Sequence, residues 1–587
     1  MMHCNRFRSS ALIVLCALLA AVAGAVRPAC ARQGAPAAAP WWTHAVIYEI
    51  YVRSFQDSDG DGIGDLNGVT ARLDYLQRLG VDAIWLTPFY PSPNVDFGYD
   101  VSDYENVARE YGSLADWDRL VREATRRHIR VLVDLVLNHS SDQHPWFIDS
   151  RSSRTSPRRD WYIWKDGHAQ GGPPTNWQSI FGGPAWTLDP RTGQWYYHVF
   201  ATQQPDFNWG SPGLRGAMFD VVRFWLDRGA AGFRLDATPY LFEDPAWPDD
   251  PDPASGAPVW LKPYNSGRPE NHGVLREMRR IVDAYPGQRV LLGESATANI
   301  QELAMVYGRH HDEIHLPMDF LIGNLHRLDA SVFKQQIDDA EQRLEGQPPV
   351  LFFSSHDHSR QWSSFGDGTH NDQIAKLTAT LTLTPRGTAL LYYGEEIGMR
   401  DVPAALLAQS PIGPKRPRAD DRDVARSPMP WRRGAGAGFT HGVPWLALDT
   451  GVGGHDVEDE MQQPDSVYRW YARLLRLRRT NAALREGGYL PLSAANPNVL
   501  AFARLDRAGQ GALVVLNMSP GPQSIAVTGW PGHAPYDWTT LLASPAVTAP
   551  SDRLTMAPYG VLIAGFASRA PGRHAAAIEQ QLQRAAD

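Results

Sequence analysis

From Trp41 onward, eight short apolar runs alternate with stretches that carry apolar residues at helical spacing. The runs are Ala45 to Tyr51, Ala83 to Leu86, Val131 to Val136, Gly232 to Leu235, Val290 to Leu292, His315 to Met318, Val350 to Phe353 and Ala389 to Tyr393. Leu114 to Arg127 and Gly273 to Tyr285 are two of the helical stretches between them. Eight β-α repeats over this length predict an α/β fold of the (β/α)8 TIM-barrel type, with a doubly wound sheet as the alternative. In a barrel the chemistry belongs at the C-terminal ends of the strands, where the following loops converge.

Two departures from the repeat extend this plan. After the third run, residues 140–209 are rich in Trp, Gly and Pro and too long for a loop, which predicts a small inserted domain. After an amphipathic helix from Ser466 to Arg478, the runs Val499 to Leu505, Gly511 to Met518, Gln523 to Thr528 and Tyr559 to Phe566 predict an all-β sandwich domain. The chain thus reads as a leader at 1–31, a linker at 32–40, a barrel in two parts at 41–139 and 210–486, the insert at 140–209, a β domain at 487–567 and a tail at 568–587.

Several runs end in polar groups. Gly232-Phe-Arg-Leu-Asp236 places Arg234 and Asp236 on one side of a strand, and a cation beside a carboxylate keeps it ionised, as a nucleophile requires. Asp134, Asn138 and His139 follow the third run, Glu294 the fifth, and Ser355-His356-Asp357 the seventh. One such acid is an ordinary helix cap. Three carboxylates at one barrel mouth repel one another, and a shared site is their simplest explanation. A close pair suits glycosidic cleavage with retention: Asp236 as nucleophile, and Glu294, which has no cation beside it in sequence, as the acid with a raised pKa.

Composition limits the partners. Fifty-six Lys and Arg against 64 Asp and Glu give a net charge of −8, which argues against nucleic acid, while 20 Trp and 21 Tyr suit stacking on sugar faces. Arg6 and Arg8, the apolar run Ala11 to Val26 and the small residues after it predict a secretory leader and an exported protein, periplasmic or extracellular, with no membrane span in its mature form. Cys4, Cys16 and Cys30 all lie in or beside that leader, so cleavage after Ala31 leaves no thiol; lipid attachment at Cys30 is the alternative.

These segments resemble the strand motifs of the α-amylase family of glycoside hydrolases, in the same order, from Trp41 to about Phe566. The resemblance implies a TIM barrel, Asp236 as nucleophile, Glu294 as acid/base and Asp357 as transition-state stabiliser, with His139, Arg234 and His356 in the first sugar subsite. Ser355 departs from the Asn usual before His-Asp. Asp96-Phe-Gly-Tyr99-Asp100, Gln204-Pro-Asp-Phe-Asn208, Tyr393-Gly-Glu-Glu-Ile-Gly398 and Arg422-Asp-Val-Ala-Arg426 are similar to the α-glucosidase and oligo-1,6-glucosidase branch. There the residues matching Asp96 and Arg426 hold the terminal glucose as a pair, Tyr99 lies in the same motif, and a small residue at the position of Ala237 goes with α-1,4 preference.

The implied substrate is a maltose-like α-glucoside, acted on by an exo-acting α-glucosidase. The alternatives are a transglucosylating or isomerising relative and a barrel without catalysis. Asp57-Ser-Asp59-Gly-Asp61-Gly-Ile63-Gly-Asp65 sets carboxylates at alternate positions around glycines, as an oxygen-ligated Ca2+ or Mg2+ site does. The resemblance adds the Ile63 carbonyl as a ligand, and no organic cofactor is expected.

Overall fold

The computed structural model describes residues 39–251, 262–411, 421–449, 454–530, 538–547 and 553–567. The expected leader and tail, and nearly all of the linker, lie outside them. Eleven strands, numbered in chain order, build the barrel and its insert: β1 (Val46–Ile50), β2 (Ala83–Leu86), β3 (Arg130–Val136), β4 (Trp164–Lys165), β5 (Trp186–Asp189), β6 (Gln194–Tyr197), β7 (Gly232–Asp236), β8 (Val290–Gly293), β9 (Leu316–Pro317), β10 (Val350–Leu351) and β11 (Thr388–Tyr392). β10-β11-β1-β2-β3-β7-β8-β9 form one sheet, parallel throughout. A parallel bridge from Met318 to Val350 closes it into a ring, which excludes the doubly wound alternative.

Burial explains why the strands read as continuous apolar runs rather than alternating ones. Every residue of β1, β2, β7, β8 and β11 is buried, because one face fills the barrel and the other lies under helices. The helices show the complementary one-sided pattern. Leu114–Arg126 buries Trp117, Leu120 and Ala124, and Asn271–Asp283 buries Val274, Leu275, Met278 and Val282. Val467–Thr480, capped by Ser466 Oγ accepting from the Arg469 amide, seats Trp470, Tyr471 and Leu474 in the same core.

Between β3 and β7 the strands β4, β5 and β6 make a three-stranded antiparallel sheet in the order β4-β6-β5. Beyond the barrel lie β12 (Gly488–Pro491), β13 (Val499–Leu505), β14 (Gln510–Asn517), β15 (Gln523–Ile525), β16 (Thr539–Ala543), β17 (Leu554–Met556) and β18 (Val561–Ala567). Five pair as β12-β13-β14-β18-β16, and β15 pairs with β17; Leu513, Val515 and Leu562 of one sheet share a core with Ile525 and Met556 of the other. This sheet is tied to the barrel by Arg504, fully buried, whose Nη1 donates to Thr384 O at 2.9 Å.

Candidate active site

Gly232 is the tightest fit on the strand that carries Arg234 and Asp236. Its φ is +145°, and a Cβ would meet Val290 O at 2.0 Å, so only glycine lets β7 lie against β8 at this point. That packing brings Glu294, the residue after β8, beside the β7 side chains. Arg234 Nη1 donates to Asp236 Oδ1 at 2.6 Å and to Asp134 Oδ1 at 3.0 Å, and its Nη2 donates to Glu294 Oε2 at 2.7 Å. One guanidinium therefore holds three carboxylates. After β7 the chain turns through Ala237 in the left-handed region (φ +50°), which points the Ala237 amide at Glu294 Oε2, 2.9 Å away.

This geometry corrects the charge assignment expected from sequence. Glu294 has no cation next to it in the chain, but Arg234 reaches it from the neighbouring strand. Asp236 is not depressed: burial pushes its carboxyl well up, Arg234 pulls against that, and the charges of Glu294, Asp134 and Asp357 add to the rise. Asp134 is likewise raised by burial against the same guanidinium.

The third carboxylate is held differently. Burial acts to raise Asp357, but His356, Arg422 and Arg426 bring it well below the usual range. Arg422 Nη1 donates to Asp357 Oδ1 at 2.7 Å and Arg426 Nη2 to the same atom at 3.1 Å. His356 Nε2 faces Asp357 Oδ2 at 2.9 Å, and its Nδ1 donates to Glu49 Oε1 at 2.7 Å. Burial alone would lower His356; Asp357 and Glu49 together hold it up to about 9, as an imidazolium stacked on Tyr99 at 5.2 Å.

Asp236, Glu294 and Asp357 open into a pocket of about 560 Å³ whose walls include Asp96, Tyr99, His139, Phe181, Phe200 and Arg422. Of the residues expected to bind sugar, Asp96, Tyr99 and His139 line it. Arg234, His356 and Arg426 do not: each is at most 2 % exposed and lies beneath, fixing the carboxylates. The expected pair is also corrected. Asp96 Oδ1 accepts from Arg422 Nη2 at 2.6 Å, and Arg426 instead turns its Nε to His356 O at 2.8 Å. Arg422 lies within the 3-10 helix Asp421–Ala425 and Arg426 directly after it, and the two serve different sides of the site. Gln204 Nε2 links Asp96 Oδ2 (3.2 Å) to His139 Nε2 (3.0 Å), and burial lowers His139 to about 4, leaving it neutral.

Sequence reasoning missed Glu49, Arg422 as the pairing residue, and His358. Glu49 had a signal: it is an acid inside an apolar run, fully buried on β1. His358 lines the pocket and takes its orientation from Ser355, whose Oγ lies 2.9 Å from His358 Nδ1. Ser355 Oγ also accepts from the Asp357 amide at 3.2 Å, so the departure at this position keeps a hydrogen-bonded turn.

Residues 49–487 match the family described as Alpha amylase, catalytic domain. The chain belongs to the α-amylase family. This α-amylase family chain is 35% identical over 543 residues to an oligo-1,6-glucosidase of Parageobacillus thermoglucosidasius, covering 86% of this chain and 94% of that one. It is 39% identical over 495 residues to a probable alpha-glucosidase of Rhizobium meliloti strain 1021, covering 82% and 89%. Among solved structures, that of the alpha-glucosyl transfer enzyme XgtA superposes with a TM-score of 0.82 at 36% identity, over 90% of this chain and 99% of that one. The family chain is thus a glycoside hydrolase of the α-glucosidase and oligo-1,6-glucosidase group. No helix among its described residues is long and apolar enough to cross a membrane.

The acidic loop behind β1 is a separate feature. Carboxylate oxygens of Asp57, Asp59 and Asp61 lie within 4.8 Å of one another, a spacing that a divalent cation can bridge. Gly60 and Gly62, at φ +90° and +91°, curl the chain around that point. Burial and the neighbouring acids raise Asp61. Asp65 stands outside the group: its Oδ1 caps the helix Leu66–Ala71 by accepting from the Gly68 amide at 2.8 Å, and its Oδ2 accepts from the Ser58 amide at 2.7 Å. The Ile63 amide donates to Asp61 Oδ1 at 2.8 Å.

Proposed function

We propose that this chain is an exported, retaining, exo-acting α-glucosidase that hydrolyses terminal α-glucosidic bonds of maltose-like oligosaccharides. The observation that carries the reading is the bridge Asp96–Arg422–Asp357, which walls one end of the pocket that holds Asp236 and Glu294. A glucose seated against that wall has its non-reducing end blocked, so the chain it terminates can extend only the other way.

Asp236 attacks C1 of this sugar while Glu294 gives its proton to the glycosidic oxygen, forming a covalent glucosyl-enzyme and releasing the shortened sugar. Glu294, now a carboxylate, takes a proton from water as the water oxygen attacks C1 and frees Asp236. One guanidinium holds both acids, and the cycle needs a single proton, carried by Glu294 at the moment of attack. The glycosidic oxygen accepts only from Glu294, so bound substrate selects the arrangement with Asp236 ionised.

Ala237, lining the pocket beside Asp236, supports preference for α-1,4 bonds; relative rates on maltose and isomaltose test it. Transfer of glucose to a sugar instead of water is the second reading, favoured by the likeness to XgtA, and a product profile on maltose separates the two. For exo action the test is maltoheptaose blocked at its non-reducing end. The free sugar is expected to be consumed and the blocked one to survive; rapid internal cleavage of the blocked sugar would show an open cleft.

The proposal includes a structural divalent cation, Ca2+ or Mg2+, at Asp57, Asp59 and Asp61, where it would neutralise mutual repulsion and stiffen the loop. Excess chelator is then expected to lower Tm by several degrees, since a ligand held only by the folded chain stabilises it. An unchanged melting curve together with no metal in elemental analysis would retire the site.

A further inference from the structure

The opposite end of the barrel carries a second concave feature. The helix Val467–Thr480 presents Arg469, Arg473, Arg476 and Arg479 along one exposed stripe, and Arg78, near the end of the helix Leu73–Leu79, faces them across a groove of about 710 Å³. Gly80, three residues before β2 begins, forms its floor, so the groove lies at the N-terminal rim of the barrel, away from Asp236 and Glu294. No Asp or Glu lines it; Asp82 feels the charge of Arg479 without lining the groove.

Clustered like charges on one helix face repel. In a chain of net charge −8, five arginines without an acid between them need a reason beyond solubility. The groove is also partly pre-set. Arg473 Nη2 donates to Pro464 O at 2.6 Å, Arg479 Nη2 to Gly80 O at 2.7 Å, and Arg469 to Met461 O, so three of the five side chains are anchored to backbone while other N–H donors stay free. Along the helix the four arginines span ten residues, about 15 Å at 1.5 Å per residue. Planar guanidiniums with forked donors take carboxylate or phosphate oxygens two at a time, and a run of linked phosphates offers the high charge density that five clustered cations over about 15 Å can share.

We propose that this groove binds a soluble ligand carrying several linked phosphate groups, at a site separate from the catalytic pocket. The probe is inorganic tripolyphosphate, titrated into the full chain by calorimetry at constant ionic strength. Saturable binding is expected, weakened at least tenfold in the double variant Arg473→Ala/Arg476→Ala, with hydrolysis of maltose the same in both proteins. The single variant Arg476→Ala, whose guanidinium has no anchoring bond among the described residues, gives the same reading if the double variant folds poorly. Binding that is equal in the variants, or absent once chloride matches the ionic strength, overturns the proposal. Sedimentation with phosphatidylglycerol vesicles is the companion arm: attachment to vesicles without binding of tripolyphosphate would make the groove a membrane contact and overturn the soluble-ligand reading.

Discussion

Asp236→Asn is expected to reduce turnover at least ~10³-fold, about 4 kcal/mol in the barrier, while the protein melts at the wild-type temperature or above it. The substitution is nearly isosteric and removes the attacking oxygen. It also removes one of three carboxylates competing for a single guanidinium, in a place where burial already disfavours the charge on Asp236. Activity and stability should therefore move apart, as they do where a site is held in an unfavourable electrostatic arrangement for its chemistry. A loss of less than tenfold, measured on protein shown to be folded, would falsify the role of Asp236.

Arg422→Ala is expected to lower kcat/KM on maltose by ~10²-fold or more with a small change in Tm, whereas Arg426→Ala is expected to cost stability first. Arg422 is partly exposed at the pocket wall, where it joins Asp96 to Asp357; without it those two carboxylates face the same sugar with no cation between them. Arg426 is 1% exposed and bonded to the His356 carbonyl and Asp357 from below. Breaking one partner out of a buried ionic cluster costs about 3–5 kcal/mol. Steady-state kinetics beside thermal melts separate the two. If Arg426→Ala stays stable and loses kcat/KM while Arg422→Ala keeps it, the pairing read from the geometry is wrong.

The barrel and its three carboxylates were legible in the sequence because a polar residue at the end of a buried strand interrupts an apolar run, and the interruption recurs at one position in the repeat. Glu49 follows the same logic, but it sits inside its run rather than after it. The Asp96–Arg422 pair was not legible to the same depth. Of two arginines four apart, Arg422 lies in a short 3-10 helix and Arg426 just after it, and only the fold decides which one reaches Asp96, far away in the chain. The surroundings of Asp236 were legible only in part: adjacency in sequence offers Arg234 alone, while folding brings Glu294 and Asp134 to the same cation. Asp65 lies in a regular acidic pattern, and its place just before a helix also makes it a cap, a second role that the pattern alone does not reveal.

The seam that closes the ring has a mechanical consequence. β9 and β10 are two residues long and meet through one bridge and the hydrogen bond from the Asp319 amide to Val350 O, 3.2 Å, where β3 and β7 share a four-residue register. Glu294 follows β8, with β9 between it and that seam, and Asp357 lies in the loop after β10, so the spacing between them crosses the softest stretch of the wall. Local opening is cheapest where backbone bonds are fewest. The pocket is therefore stiff between nucleophile and proton donor, which sit on fully laddered neighbours, and compliant toward Asp357: a sugar ring that flattens as its bond breaks can be followed from that side without disturbing the pair that does the cutting.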